Sequence, residues 1–466
     1  MTGAPIRVLF LFERPESWIN VHGLWALMRD DPRFDPHVWL VPAAGLEPGA
    51  QRGQTDRCLS VARERGVSVV QWRDGDPTLS AGMFDVAVFN TPYDAHRPAE
   101  LYFDCVARKV PHTVYIPYGI VTGGGSKNLW LQYAQPAQRR AELVVARSQM
   151  EKRAYRRHCP GGDRRVAVLG LPRMDQMHGI QHFAVDPALR DRIGGRLAIL
   201  WNSHYGFPLR HADSSNYSTF DRMAIGLFGY AARTPGVALI WRPHPHLFLE
   251  LVGSGVFAEA ELAAFRGEIA DLGVILDERP DHRHGFAASH ALLTDAGSFL
   301  IEYLVTGNPV LYLRNPDGEV LNEEAEALLM HYDVAESDSE AMAFIDDLLL
   351  RGDLRRDERL GARPVFLPLF DGRASERVAD RIAQLCAGAR RDGVDASSFP
   401  LVGRLDSALR QLQDQKRRRL TTSGGLRHKV QGARRWMVNQ IKQDPSLLRA
   451  ASAVLGRLGR RRTSPG

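Results

Sequence analysis

Short, almost wholly apolar runs recur along this chain, each followed by a longer stretch of helical period, and that alternation limits the fold more than any other feature. Runs at 7–12, 37–41, 67–72, 84–90, 112–117, 143–146 and 166–169 form one series; those at 197–201, 237–241, 273–276, 291–294 and 309–313 form a second. Strands that are apolar on both faces, with helices between them, belong in parallel sheets covered by helices on both sides. So many strands in 466 residues exceed one core. The expected fold is therefore α/β, with two Rossmann-like doubly wound domains. The first is expected over 1–170 and the second over 196–390. Between them, 171–195 reads as a linker because Gly, Pro and His occur there without a period, and 391–466 reads as a basic helical tail. Two such domains place a ligand cleft between the carboxyl ends of their strands.

Two strand exits in the second series carry the chemistry. In LLTDAGSFLIEYLVTGNP an apolar run stops at Thr294 and Asp295, passes Gly297 and Ser298, and becomes helix-like until Gly307. A helix starting in such a turn leaves backbone NH groups unpaired, and Gly297 permits close approach of an anion. In WRPHPHL, Arg242 and His244 follow another strand, stiffened by Pro243 and Pro245. Together these segments describe a seat for a diphosphate, with Arg242 and His244 as its cations. Glu302, one turn inside the helix, is more than a solvated carboxylate on this reading.

The net charge of +6 hides an asymmetry: residues 404–466 carry 16 Lys and Arg against three acids, so the body before them carries −7. Trp436, Met437, Ile441, Leu447, Leu448 and Val454 are interleaved there with Arg434, Arg435, Arg449 and Arg457. That pattern fits a basic amphipathic helix on an anionic membrane surface, and equally a solvated basic tail. No run approaches the length of a bilayer span, and the N-terminus lacks a basic segment ahead of a cleavable apolar core. The expected location is cytoplasmic, peripheral on the inner face of the cell membrane. Four scattered cysteines without a CxxC suggest neither a disulfide frame nor a zinc site. Nothing in the chain looks like a nucleic-acid reading motif.

WRPHP, TDAGSFLIEYLVTGNPVLYL and LFDGRASERVADRI occur in the order and approximate spacing of the CDP-glycerol glycerophosphotransferase family. Members have the GT-B architecture and build teichoic acids and related capsule polymers, and the resemblance covers residues 197–385. It implies that Arg242 and His244 contact the donor's phosphates and that the turn Asp295–Ser298 holds the diphosphate. It further implies that Glu302 binds the ribose hydroxyls, and that Asp371, Gly372 and Ser375 close the same cleft. The chain departs from the family with Gly297 in place of a serine and Glu302 in place of an aspartate. It also has Tyr118 before Gly119, where a His-Gly pair supplies the expected base. A phenol with an ordinary pKa of about 10 is a poor base at neutral pH. His22 and His204, at other strand exits, are therefore candidates for a relocated base.

The function this implies is a transferase that moves a glycerol-phosphate, polyol-phosphate or sugar from a nucleotide-activated donor to a polymer or lipid-linked acceptor. Displacement would be direct, with no cofactor and no metal, since no compact carboxylate pair stands at a strand end. Two alternatives stay open. TDAGSFLIE also resembles the turn of UDP-N-acetylglucosamine 2-epimerases, which would make the protein an isomerase. Tyr118 would also suit a nucleotide-sugar-binding protein without catalysis.

Overall fold

The computed structural model describes residues 4–73, 75–206 and 216–389. The first sheet contains β1 (Ile6–Phe12), β2 (Phe34–Leu40), β3 (Val70–Gln71), β4 (Val86–Phe89), β5 (His112–Tyr115), β6 (Leu143–Ala146) and β7 (Val166–Val168). Their order is β3-β2-β1-β4-β5-β6-β7. The second contains β8 (Leu197–Asn202), β9 (Val237–Trp241), β10 (Ile275–Leu276), β11 (Ala291–Thr294), β12 (Val310–Leu313) and β13 (Asp333–Ala335), ordered β10-β9-β8-β11-β12-β13. All pairings between these strands are parallel. Both sheets are doubly wound and reverse direction once, between β1 and β4 and between β8 and β11. The result is a two-domain, GT-B-like α/β fold.

The apolar runs explain the layering. Alternate residues of β1 serve two cores: Val8, Phe10 and Phe12 join one layer while Leu9 and Leu11 join another. In β8, Ala198 and Leu200 face one side and Ile199 and Trp201 the other. Strand β2 starts three residues earlier than its apolar run and includes Pro36. The proline is tolerated because β3 pairs only with Trp39 and Leu40, which leaves one side of Pro36 without a strand neighbour. Strand β13 was not foreseen. It is three residues long, begins with Asp333 and lies at the sheet edge, so no buried apolar run marks it.

The domains are joined by more than the linker, which itself contains short helices at Pro172–Asp175 and Pro187–Ile193. The helix Ala374–Ala389 crosses back to the first domain, where Val378, Ala379 and Ile382 share a core with Leu24 and Met28, and Asp380 accepts from Arg33 at 2.8 Å. A second join is a backbone clasp. Gly123 bridges Leu321, Gly124 N donates to Val320 O at 2.7 Å, and Asn322 N donates to Thr122 O at 2.8 Å. Beside it, Arg147 pairs with Glu324 at 2.5 Å, both largely buried. A β-carbon at Gly124 would stand 2.6 Å from Leu321 O, and one at Gly123 would stand 2.4 Å from the Tyr217 hydroxyl. The glycine run 123–125 is thus required by the approach of the other domain. Among the described residues no helix is long and apolar enough to cross a membrane. The tail expected over 391–466 lies outside the described residues.

Candidate functional site

The carboxyl ends of both sheets face a cleft of 1740 Å³ whose walls come from both domains. On the second-domain wall, β8, β9 and β11 deliver Ser203–Tyr205, Arg242–His246 and Asp295–Ser298. Arg242 is set by its backbone, whose N donates to Trp201 O at 2.8 Å, and by its side chain. Nη1 donates to Asp277 Oδ2 at 2.9 Å and Nη2 to Arg279 O at 2.6 Å. Asp277 follows β10 directly and its side chain is 0% exposed. His244 N donates to Ser203 O at 2.9 Å, and its ring Nδ1 accepts from His246 N at 3.1 Å. Its ring lies 4.4 Å from Tyr205 and 5.5 Å from His204.

This packing changes the chemistry expected of the histidines. Burial, then the neighbouring His204 and His246, holds His244 well below its ordinary pKa; burial, then His246, lowers His204 to about 4. His244 is thus a neutral hydrogen-bonding ring, with the guanidinium of Arg242 as the cation on the same strand exit. Asp295 is turned into the protein: its carboxylate accepts from His204 N at 2.7 Å and from the Thr219 hydroxyl, and burial lifts it to about 7. It braces the two strand exits against each other.

The helix after the turn is shorter than its sequence suggests. Four α-helical residues, Phe299–Glu302, pass into the 3-10 turn Tyr303–Val305, and Gly307 ends the segment at φ 69°. Leu300 N and Ile301 N bond back to Gly297 O and Ser298 O, so the amides left without helical partners precede them, in the turn. Gly119 reaches this turn from the first domain, its β-carbon position 3.9 Å from Ser298 Cβ.

Glu302 is 0% exposed and joins the domains. Arg173, from the linker, donates through Nη2 to Glu302 Oε2 at 2.8 Å; its Nη1 donates to Asn20 Oδ1 at 3.0 Å and Tyr118 O at 3.1 Å. His282 Nε2 stands 3.4 Å from the same carboxylate oxygen. Burial alone would raise the carboxyl; Arg173 and then His282 outweigh it and hold Glu302 at about 2.

The first-domain wall is aromatic. Tyr118 OH lies 3.0 Å from Tyr93 OH and accepts from Gln132 Nε2 at 3.1 Å. Beside them Arg14 Nη2 stands 3.0 Å from His96 Nδ1, and Tyr93 packs on His96 with ring centroids 5.0 Å apart. Arg14 follows β1, and Tyr93 and His96 follow β4, the two strands of the switch point.

Other residues singled out by sequence lie elsewhere. His22 does not line the cleft: its Nδ1 accepts from the Trp18 indole at 3.1 Å, its ring stacks on Trp25, and burial, then Arg65, lowers it to about 4. Asp371, Gly372 and Ser375 are also outside the lining. Asp371 pairs with Arg377 at 2.7 Å, Gly372 abuts His178, and Ser375 N donates to Asp175 Oδ2 at 2.7 Å. They dock the helix Ala374–Ala389 onto the linker instead of closing the cleft. Sequence reading passed over Arg14, Tyr93, His96, Arg173 and His282. Arg14 was within reach because it follows a predicted strand closely, and Tyr93 and His96 lie in the segment that leaves β4. Arg173 and His282 sit in segments without a period or motif.

No family model matches the chain, and no curated protein matches its sequence. Solved structures do match it. A UDP-N-acetylglucosamine 2-epimerase superposes with a TM-score of 0.55 at 15% identity, covering 84% of this chain and 99% of the other. The UDP-GlcNAc 2-epimerase from Neisseria meningitidis, bound to UDP-GlcNAc, gives 0.52 at 14%, covering 82% and 100%. A variant of the wall teichoic acid polymerase TagF gives 0.53 at 10%, covering 84% and 91%. At these identities the shared property is the fold.

Proposed function

We propose that this protein is a GT-B transferase that moves a glycerol-phosphate, polyol-phosphate or sugar from a nucleotide-diphosphate donor to a cell-surface polymer or lipid-linked acceptor. The observation that carries this reading is the meeting of Arg242, His244 and the turn Asp295–Ser298 on one wall of a cleft whose opposite wall belongs to the other domain. One wall then holds the donor and the other presents the acceptor. Arg242 takes phosphate charge while remaining anchored to Asp277. Neutral His244 donates a hydrogen bond, and the amides of the turn complete the anion seat. These groups stabilise the nucleotide phosphate as it leaves, when its negative charge is greatest. Glu302, one turn beyond Ser298, is fully buried outside the cleft lining and pairs with Arg173, so it fixes the turn against the linker instead of reaching the ribose hydroxyls.

Supplying purified protein with CDP- and UDP-activated donors, with and without a lipid-linked acceptor, tests the reading. Nucleotide release that depends on acceptor supports it. A donor epimerised without acceptor would establish the isomerase reading, which the Asp295–Ser298 turn and its Glu302 favour. Tight donor binding without turnover would establish a binding protein.

The basic residues 404–466 would hold the enzyme at the membrane that carries its acceptor. Removing them should weaken binding to vesicles containing anionic lipid and spare turnover of a soluble acceptor. Vesicle binding that survives the deletion would refute this role.

A further inference from the structure

The cleft contains a proton-handling group that neither the strand-exit motifs nor the family resemblance assigns. His96 ends a 3-10 turn, Asp94–His96, that leaves β4 at the switch point of the first sheet. That turn is firmly based. Arg97, with a fully buried side chain, pairs with Glu13 at 2.9 Å and donates to Thr91 O at 2.7 Å; Asp94 Oδ1 accepts from Phe103 N at 2.8 Å. The ring is therefore carried on a braced turn and faces the cleft between Arg14 and Tyr93.

A guanidinium keeps its positive charge at any pH the protein meets, so whatever lies beside it feels that charge. Arg14 Nη2 stands 3.0 Å from Nδ1 of His96 and 3.4 Å from Nε2, so the guanidinium lies against the imidazole ring. Taking a proton there would set imidazolium beside guanidinium. That cost disappears once an anion occupies Arg14. Arg14 can meet such an anion, because it lines the same cleft as Arg242 and His244.

We propose that His96 is the base of the acceptor half and that Arg14 makes its basicity depend on occupation of the donor seat. This rests on the transferase reading above. When the donor's phosphate offsets the charge of Arg14, a ring nitrogen of His96 accepts the proton of the acceptor hydroxyl. The acceptor oxygen forms its bond to the electrophilic atom of the transferred group, and the bond from that atom to the leaving phosphate oxygen breaks. The electron pair departs with the nucleotide, against Arg242 and the turn at Asp295–Ser298. Without donor, the charge of Arg14 opposes protonation of His96. Tyr118 positions the acceptor through its hydroxyl contacts and need not ionise.

Ionisable groups that share the cleft with His96 include Tyr93 and Asp94 on its own turn, Arg14 and Glu16 after β1, Tyr118 after β5, and His244 and His246 on the opposite wall. Two measurements on the full chain separate their effects. In the first, the His96 ring is followed by NMR through a pH titration with and without CDP or UDP, the signal being assigned by its loss in His96→Gln. Nucleotide should move the titration to higher pH, and Arg14→Gln should abolish the movement. Nucleotide that binds without moving it overturns the coupling, whether or not any donor turns over. Absence of nucleotide binding removes the donor seat and with it the parent reading. In the second, His96→Gln should lower acceptor-dependent nucleotide release by about 100-fold or more while nucleotide affinity stays within about twofold. It should also remove the acid limb of the rate profile, and Tyr118→Phe should keep more than about a tenth of the rate. A His96→Gln enzyme with its rate intact, or a Tyr118→Phe loss as large, overturns the assignment.

Discussion

The two walls of the cleft are built differently. On the second-domain wall the working groups are fixed from beneath: Asp277 anchors Arg242, Asp295 ties the exits of β8 and β11, and Ser203 O holds the backbone of His244. On the first-domain wall side chains hold one another, through Tyr93, Tyr118 and Gln132 and through Arg14 and His96. A wall anchored to buried acids is preorganised before ligand arrives. A wall of mutually bonded side chains can exchange those bonds for substrate. That division suits a donor seat facing an adjustable acceptor seat.

The largest effect is expected from Arg242→Met, which leaves the buried Asp277 carboxylate with Arg279, at 3.2 Å, in place of two guanidinium partners. Loss of about 3–5 kcal/mol in denaturant unfolding, together with loss of nucleotide binding, is expected. Normal stability and affinity would remove the contrast between the walls. His244→Ala comes next: turnover should fall about 100- to 1000-fold with the unfolding midpoint little changed, because a hydrogen bond to the leaving phosphate is lost. Unaltered turnover would dismiss the phosphate seat.

Arg173→Met probes where the walls meet. Glu302 is held at about 2, below the unfolded carboxylate value of about 4.3, so its pairing stabilises the fold fully above the unfolded value. That stability is lost as pH falls from about 4.3 towards about 2. Without Arg173 the protein should be about 3 kcal/mol less stable at neutral pH, and its stability should vary less across that acid window. An unchanged acid profile would show that His282 alone sets Glu302. The smallest effect is expected from Gly124→Ala, whose β-carbon would press on Leu321 O and Val320 O. A cost of about 2 kcal/mol and easier proteolysis of the interdomain clasp are expected. A neutral substitution would show that the first-domain wall does not depend on that clasp.

Much of the architecture was legible because each strand announces itself through its own neighbours in sequence. All of the apolar runs became parallel strands, and β13 escaped notice because an edge strand of three residues needs little apolar surface. Arg242, His244, Gly297 and Ser298 were legible for the same reason, as local exits from recognisable strands. His22 follows a strand less closely than Arg14 does, and its ring is taken up by Trp18 and Trp25. Asp371, Gly372 and Ser375 match a motif by spacing, yet their contacts are with Asp175, His178 and Arg377.

The two parallel sheets, and the residues that leave them toward a cleft, can be read along the chain, since strand period and strand exit are properties of a few consecutive residues. Folding in three dimensions set the rest. It made His244 neutral by surrounding it with other rings, and brought Arg173 to Glu302 across 129 positions. It also assigned the glycines of 123–125 to the domain clasp and set His96 beside Arg14. Burial, charge and close approach at those places arise between segments distant in the chain, and no local pattern carries them.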